Sequence, residues 1–260
     1  MHHARLSVRW KYGEMDCDEQ NDRWLKAARL TIQLDRRSAR PLVVEGENIV
    51  RYQSMFPIAR HALAQVDAAL ILHDAGRSFV ASVNTRVALE HALIAQWVLL
   101  TKGAETLLAN TIEKSHSSIL KGIAPHAQSI PPELSPLLSL PSATLLPPIE
   151  QICGRFDGTG LLYTTYRGLT GAVHLSGATL AEYVAVDAET GEITLHSQPR
   201  SGKTPTDFEM ALGWAAVLSK AALEVLLEDS SDLQRVALIA RKAGLPHDLT
   251  SDDRHPERQP

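Results

Sequence analysis

Two long stretches of this chain repeat apolar residues at spacings of three and four, and a single glycine separates them. The first covers 48–73 and carries Ile49, Met55, Ile58, Ala59, Ala62, Leu63, Val66, Ala69 and Leu70. The second covers 77–101 and carries Phe79, Val83, Val87, Leu89, Ala92, Leu93, Trp97 and Leu100, with Gly76 between the two. Each residue of a helix turns about 100° around the axis, so these repeats gather the apolar side chains on one side. Toward its end the second stretch is apolar over most of its circumference, which places it centrally. A chain that must bury two such helices is predicted to be all-α. The expected fold is a helical bundle of six to seven helices with a small β-hairpin insertion.

Further helices are expected over 18–34, 104–120, 160–175, 205–227 and 230–242. The run from Asp35 to Pro41 breaks the first, because proline restricts the residue before it. Gly122 and Pro125 end the one over 104–120, and Gly244 and Pro246 stop the last. Seven prolines between 122 and 148 exclude one long helix there. They leave a linker or lid with one-turn helices around 132–139 and 148–155. Tyr183–Val186 and Glu192–His196 flank a glycine-containing turn, so 183–196 reads as a hairpin that needs support from the bundle. Thr204 suits a cap, and Pro205 suits the first turn of the helix it opens. The domain reading is a flexible N-terminal segment at 1–18, one helical domain at 19–247 and a disordered tail at 248–260.

Charge narrows the function classes. The 26 Lys and Arg stand against 30 Asp and Glu, a net charge of -4. No stable coating of DNA by bulk charge is expected, although RNA held in a local basic cleft remains compatible. The two cysteines, Cys17 and Cys153, make no disulfide framework, so a cytoplasmic location is expected. The first residues are polar, and no leader follows them. The most apolar long segment, Val87 to Leu100, contains Glu90, His91 and Gln96, so no membrane span is expected. No cofactor is expected either: the glycine-rich run 154–160 lacks the lysine and spacing of a phosphate-binding loop. His61, His73, His91, His116, His126 and His174 are dispersed without a zinc-binding spacing, so no metal centre is expected. Ser115, Ser117 and Ser118 around His116 read as surface polarity, and Trp24, Trp97 and Trp214 as core.

Two islands of polarity interrupt the apolar pattern. One runs from Arg86 to His91, the other from Tyr163 to His174. Charge inside a buried helix is costly unless paired, so the islands are expected to face each other or a cleft. Tyr163, Arg167, Thr170 and His174 fall on one helical stripe, and Gly168 and Gly171 leave room beside it. Arg86 and Glu90 are four apart and suited to pair. In a catalytic reading His174 is the acid or base, Arg167 or Arg86 anchors phosphate or carboxylate, and Glu90 orients one of them. Tyr163, Tyr166 and Thr170 would then contact the ligand. The same residues fit an internal polar network that ties two core helices together.

The Arg86 and Glu90 pair, followed by Tyr166-Arg167-x-Leu169-Thr170-x-x-x-His174, resembles a bacterial family of helical proteins with a domain of unknown function. That resemblance spans about residues 50–225 and implies a helical fold without a particular activity. A second resemblance is to HEPN domains, whose signature is an arginine followed after four to six residues by a histidine. Arg86 and His91 match it. The resemblance implies a helical homodimer acting as a metal-independent ribonuclease, with both residues at the dimer interface. Arg86 would hold the phosphate of RNA or another phosphate-containing ligand, and His91 would assist proton transfer. A non-catalytic structural or regulatory protein that dimerises through its apolar helices is the remaining alternative.

Overall fold

A computed structural model describes residues 17–38, 42–44, 46–127, 129–174, 176–200 and 207–245. The described chain is all-α with one small hairpin. Its helices are α1 (Cys17–Arg37), α2 (Ile49–Asp74), α3 (Ser78–Leu100), α4 (Ala104–Ile123), α5 (Ile149–Phe156), α6 (Leu161–Gly168), α7 (Thr170–Val173), α8 (Gly177–Tyr183), α9 (Phe208–Val225) and α10 (Ser231–Ala243). Strands β1 (Val184–Val186) and β2 (Ile193–Leu195) pair antiparallel, with Ala185 opposite Thr194.

The core is built around α9. Every residue from Phe208 to Glu224 is buried, and α1, α2, α3 and α10 pack around it. Its nearly continuous apolar sequence explains this, since a helix without a polar side must be covered all round. The α2–α3 hairpin turns at Gly76, whose φ of 70° lies in the left-handed region that glycine adopts freely. Next to that turn the His73 ring stacks on Phe208 at 5.6 Å, and its Nδ1 lies 2.9 Å from the Ser78 hydroxyl. The turn is thereby fastened to the start of α9.

Close approach of α1 to α9 depends on Gly213. A methyl group there would lie 2.9 Å from Leu245 Cδ1 and 3.1 Å from the Trp24 carbonyl oxygen. Gly213→Ala is therefore expected to cost about 1–3 kcal/mol through overpacking, despite alanine's better helix propensity. Urea unfolding of the variant measures it; an unchanged midpoint would contradict the packing argument.

Several expectations change. The first helix runs on to Arg37, because its last turn is held from outside: Arg36 pairs with Asp67, and Arg60 with Asp35, both at 2.7 Å. The fourth runs through Gly122 to Ile123, and Pro125 opens a 3-10 turn instead of ending the helix. The stretch over 160–175 is not one helix but α6 and α7, with His174 already extended at φ -107°, ψ 152°. Gly168 and Gly171 weaken helix propensity there. The helix expected over 205–227 is observed over 208–225. Thr204 and Pro205, most of the segment 1–18 and the tail 248–260 lie outside the described residues.

The hairpin does not lie against the bundle. Val186, Ile193 and Leu195 remain 64–76% exposed, and among the described residues the strands pack chiefly on each other and on α8. By contrast, the proline-rich connection is strapped along α4. Asn110 donates to the Thr144 carbonyl at 2.9 Å, and the Leu146 amide donates to the Thr111 hydroxyl at 2.8 Å. One described helix, Gly46–Asp74, is long and apolar enough to cross a membrane by composition. Tyr52, Met55, Ala59, Ala62, Leu63, Val66, Ala69 and Leu70 pack into the bundle, whereas Ile49, Val50 and Ile71 stay exposed and Arg60 and Asp67 form ion pairs with α1.

Candidate functional site

The two polar islands meet through Tyr166. This residue sits on α6, whose start is set by the glycine-rich loop before it. Asp157 accepts hydrogen bonds from the Thr159 and Leu162 amides, both at 2.8 Å, and Gly160 takes φ 78°. From there the buried Tyr166 reaches α3. Its hydroxyl accepts from Arg86 Nη2 at 2.6 Å and donates to Glu90 Oε2 at 2.8 Å. The Arg86 guanidinium also lies over the tyrosine ring, 4.7 Å from its centre. Burial, then the hydrogen bond to the Glu90 carboxylate, pushes the phenol up to about 12. The hydroxyl therefore keeps its proton near neutrality and acts as a donor to Glu90.

This geometry corrects the expected roles of Arg86 and Glu90. They do not pair directly; the tyrosine hydroxyl stands between them and uses the polarity of both. Arg86 Nε and the hydroxyls of Thr165 and Thr170 are buried without a hydrogen-bond partner among the described residues. The layer is thus a brace between α3 and α6 with some unmet polarity around it.

Arg167 and His174 do not join the brace. Arg167 points outward on α6, where Nη1 lies 3.4 Å from the Tyr163 hydroxyl, and that hydroxyl lies 3.3 Å from Glu150. The reason is angular: Arg167 is one position on from Tyr166, so one side chain faces α3 and its neighbour faces solvent. His174 is exposed beyond the end of α7, since the helix that should have carried it has ended. Gly168 does mark a close approach, to Asp207 at the start of α9. A methyl group there would lie 2.5 Å from its Oδ2. Burial raises the Asp207 carboxyl above its ordinary range.

His91 faces away from the brace, toward α2. Its ring centre lies 4.9 Å from that of His61, and its Nδ1 is buried without a hydrogen-bond partner among the described residues. Burial, then the neighbouring His61, lowers its pKa, against an opposing pull from Glu90. The unfolded imidazole titrates near about 6.5. Below that pH the unfolded chain binds the proton more readily than the fold, so stability falls as pH drops from about 6.5 toward the depressed folded value. Urea midpoints between pH 8 and pH 5 are expected to show this fall, and His91→Phe should reduce its slope.

A second polar cluster escaped the sequence reading. Lys220 and Glu224, both 3% exposed in the last two turns of α9, pair at 2.7 Å. The Lys220 ammonium also lies 3.3 Å from Asp35 and 3.4 Å from the Ser38 hydroxyl. Asp35 continues to Arg60, and Ser38 is hydrogen-bonded to Asp232, which pairs with Arg235 at 3.1 Å. The signal was present: after Glu209 in the first turn, a lysine and a glutamate four apart are the charges of an otherwise largely apolar helix.

Other chemistry finds little purchase. Burial pushes the free Cys153 thiol up to about 12, away from nucleophilic use. Ser117 of the serine cluster is buried rather than on the surface, while His116 is exposed. Among the described residues no three His, Cys, Asp or Glu gather as metal ligands. No protein-family model, curated protein or solved structure matches the chain.

Proposed function

We propose that this protein is a non-catalytic helical protein that works by interaction with other macromolecules. The observation that carries the reading is the Tyr166 hydroxyl, which occupies the space between Arg86 and Glu90. A phosphate would need that guanidinium free, and an acid or base would need its carboxylate accessible. The two charged groups instead hold α6 to α3. The reading includes a cytoplasmic location, supported by the free thiol at Cys153. It is compatible with the resemblance to the bacterial helical family, whose motif positions Tyr166 and Leu169 are buried here.

Incubation of the purified chain with fluorescently labelled single-stranded RNA tests it. No cleavage above that of an Arg86→Ala/His91→Ala double variant is expected. Cleavage that this double variant abolishes would overturn the reading.

One observation favours the second reading, an HEPN-like ribonuclease acting as a homodimer. His91 offers an unpartnered, partly buried ring nitrogen and an imidazole biased toward the neutral form, five residues after Arg86. A neutral imidazole is the form that accepts a proton from a ribose hydroxyl. That reading requires Arg86 to leave Tyr166 when RNA binds, so Tyr166→Phe would raise the cleavage rate.

A further inference from the structure

The antiparallel α1 and α10 leave a long trough on the outer side of the bundle. One part, about 600 Å³, is floored by Leu30, Leu34, Leu238 and Ile239. It runs on past Leu30 and Leu238 into a second hollow of about 210 Å³ that ends near Ala27 and Ala243. Leu30 is 39% exposed and Leu238 47% exposed, so the floor is apolar surface left open to water.

Asp229 and Asp232 line the larger hollow with Arg37 and Arg235, but the rim charges that lack an ion-pair partner among the described residues are all positive. Lys26 and Lys242 stand at one end and Arg37 at the other. None of the three has an ion-pair partner among the described residues. The remaining rim charges are engaged within the chain: Arg23 by Glu19, Asp232 by Arg235, and Asp229 by contacts that include the Ser231 amide at 3.0 Å. The surface therefore asks for negative charge on both sides of an apolar stripe. A second copy of the same trough would bring these cations only carboxylates already engaged within its own chain. A nucleic acid strand would meet the cations but leave the leucines and isoleucine unused. From Arg23 to Arg37 the trough follows about 21 Å of helix, or about four turns.

We propose that this trough is a docking surface for an amphipathic helix of a partner protein, apolar on its seated stripe and acidic along both flanks. Leu30 and Leu238 receive the apolar stripe, and Lys26, Lys242 and Arg37 pair with the flanking carboxylates. The inference rests on the interaction reading above but fails separately from it, since RNA cleavage reports on α3 and the experiment below reports on α1 and α10.

The probe is a fluorescein-labelled helical peptide of about four turns, with leucines on one stripe and glutamates on both flanks. A control peptide carries lysines in place of the glutamates. Titration of the full chain is followed by fluorescence anisotropy. The glutamate peptide is expected to bind and the lysine peptide to bind at least roughly tenfold more weakly. Lys26→Glu/Lys242→Glu should reverse that preference, and Leu238→Ser should weaken the glutamate peptide, with circular dichroism confirming that each variant is folded. Equal binding of both peptides, or binding of neither, overturns the proposal. A dimer in sedimentation velocity that Leu238→Ser dissolves also overturns it, because the trough would then belong to a second copy.

Discussion

Lys220→Ala is expected to cost about 3–5 kcal/mol, a large share of what holds a domain folded. The ammonium sits between Glu224 and Asp35 at 3% exposure. Removing it takes the ammonium from beside two carboxylates, Glu224 and Asp35, that are largely out of water, and desolvated charge is what makes such losses large. The contrast that identifies the cause is Lys220→Met/Glu224→Met. With both charges gone and similar volumes kept, the cost should shrink to a small fraction of the single variant's, or change sign. Asp35 then retains Arg60 as a partner. Urea denaturation at pH 7 gives both numbers; a double variant as damaged as the single one would mean that shape, not charge, is what Lys220 supplies.

Tyr166→Phe is expected to lower stability by about 1–3 kcal/mol while leaving the ring's packing in place. The lost hydroxyl serves two charged partners at once, accepting from Arg86 and donating to Glu90. A double-mutant cycle with Arg86→Met should give a coupling of about 0.5–3 kcal/mol, because the two residues share one network. Additive costs, with no coupling, would remove the brace as an explanation of why an arginine and a glutamate lie inside α3.

Much of this molecule is legible in its apolar spacing. The α2–α3 hairpin, the burial of Trp24, Trp97 and Trp214, and the hairpin at β1 and β2 follow from periodicity and turn residues. That the two polar islands approach each other is also foreseeable, since buried charge needs company. Which residues make the contact is not. A straight helix over 160–175 puts Arg167 and His174 on one stripe. The real chain ends α6 at Gly168 and turns Tyr166 inward instead. The partners of Lys220 lie on α1 and were out of reach for a different reason. Asp35 and Ser38 stand in a stretch that reads locally as a break, and only the three-dimensional packing carries them onto α9.

The position of α9 along the chain has a consequence for biosynthesis. The helix around which α1, α2 and α3 assemble is made only after all three of them. Until then the α2–α3 hairpin emerges with its inner side uncovered, and such surface is what recruits chaperones or seeds aggregation. A chain cut short ahead of Phe208 is expected to accumulate in the insoluble fraction.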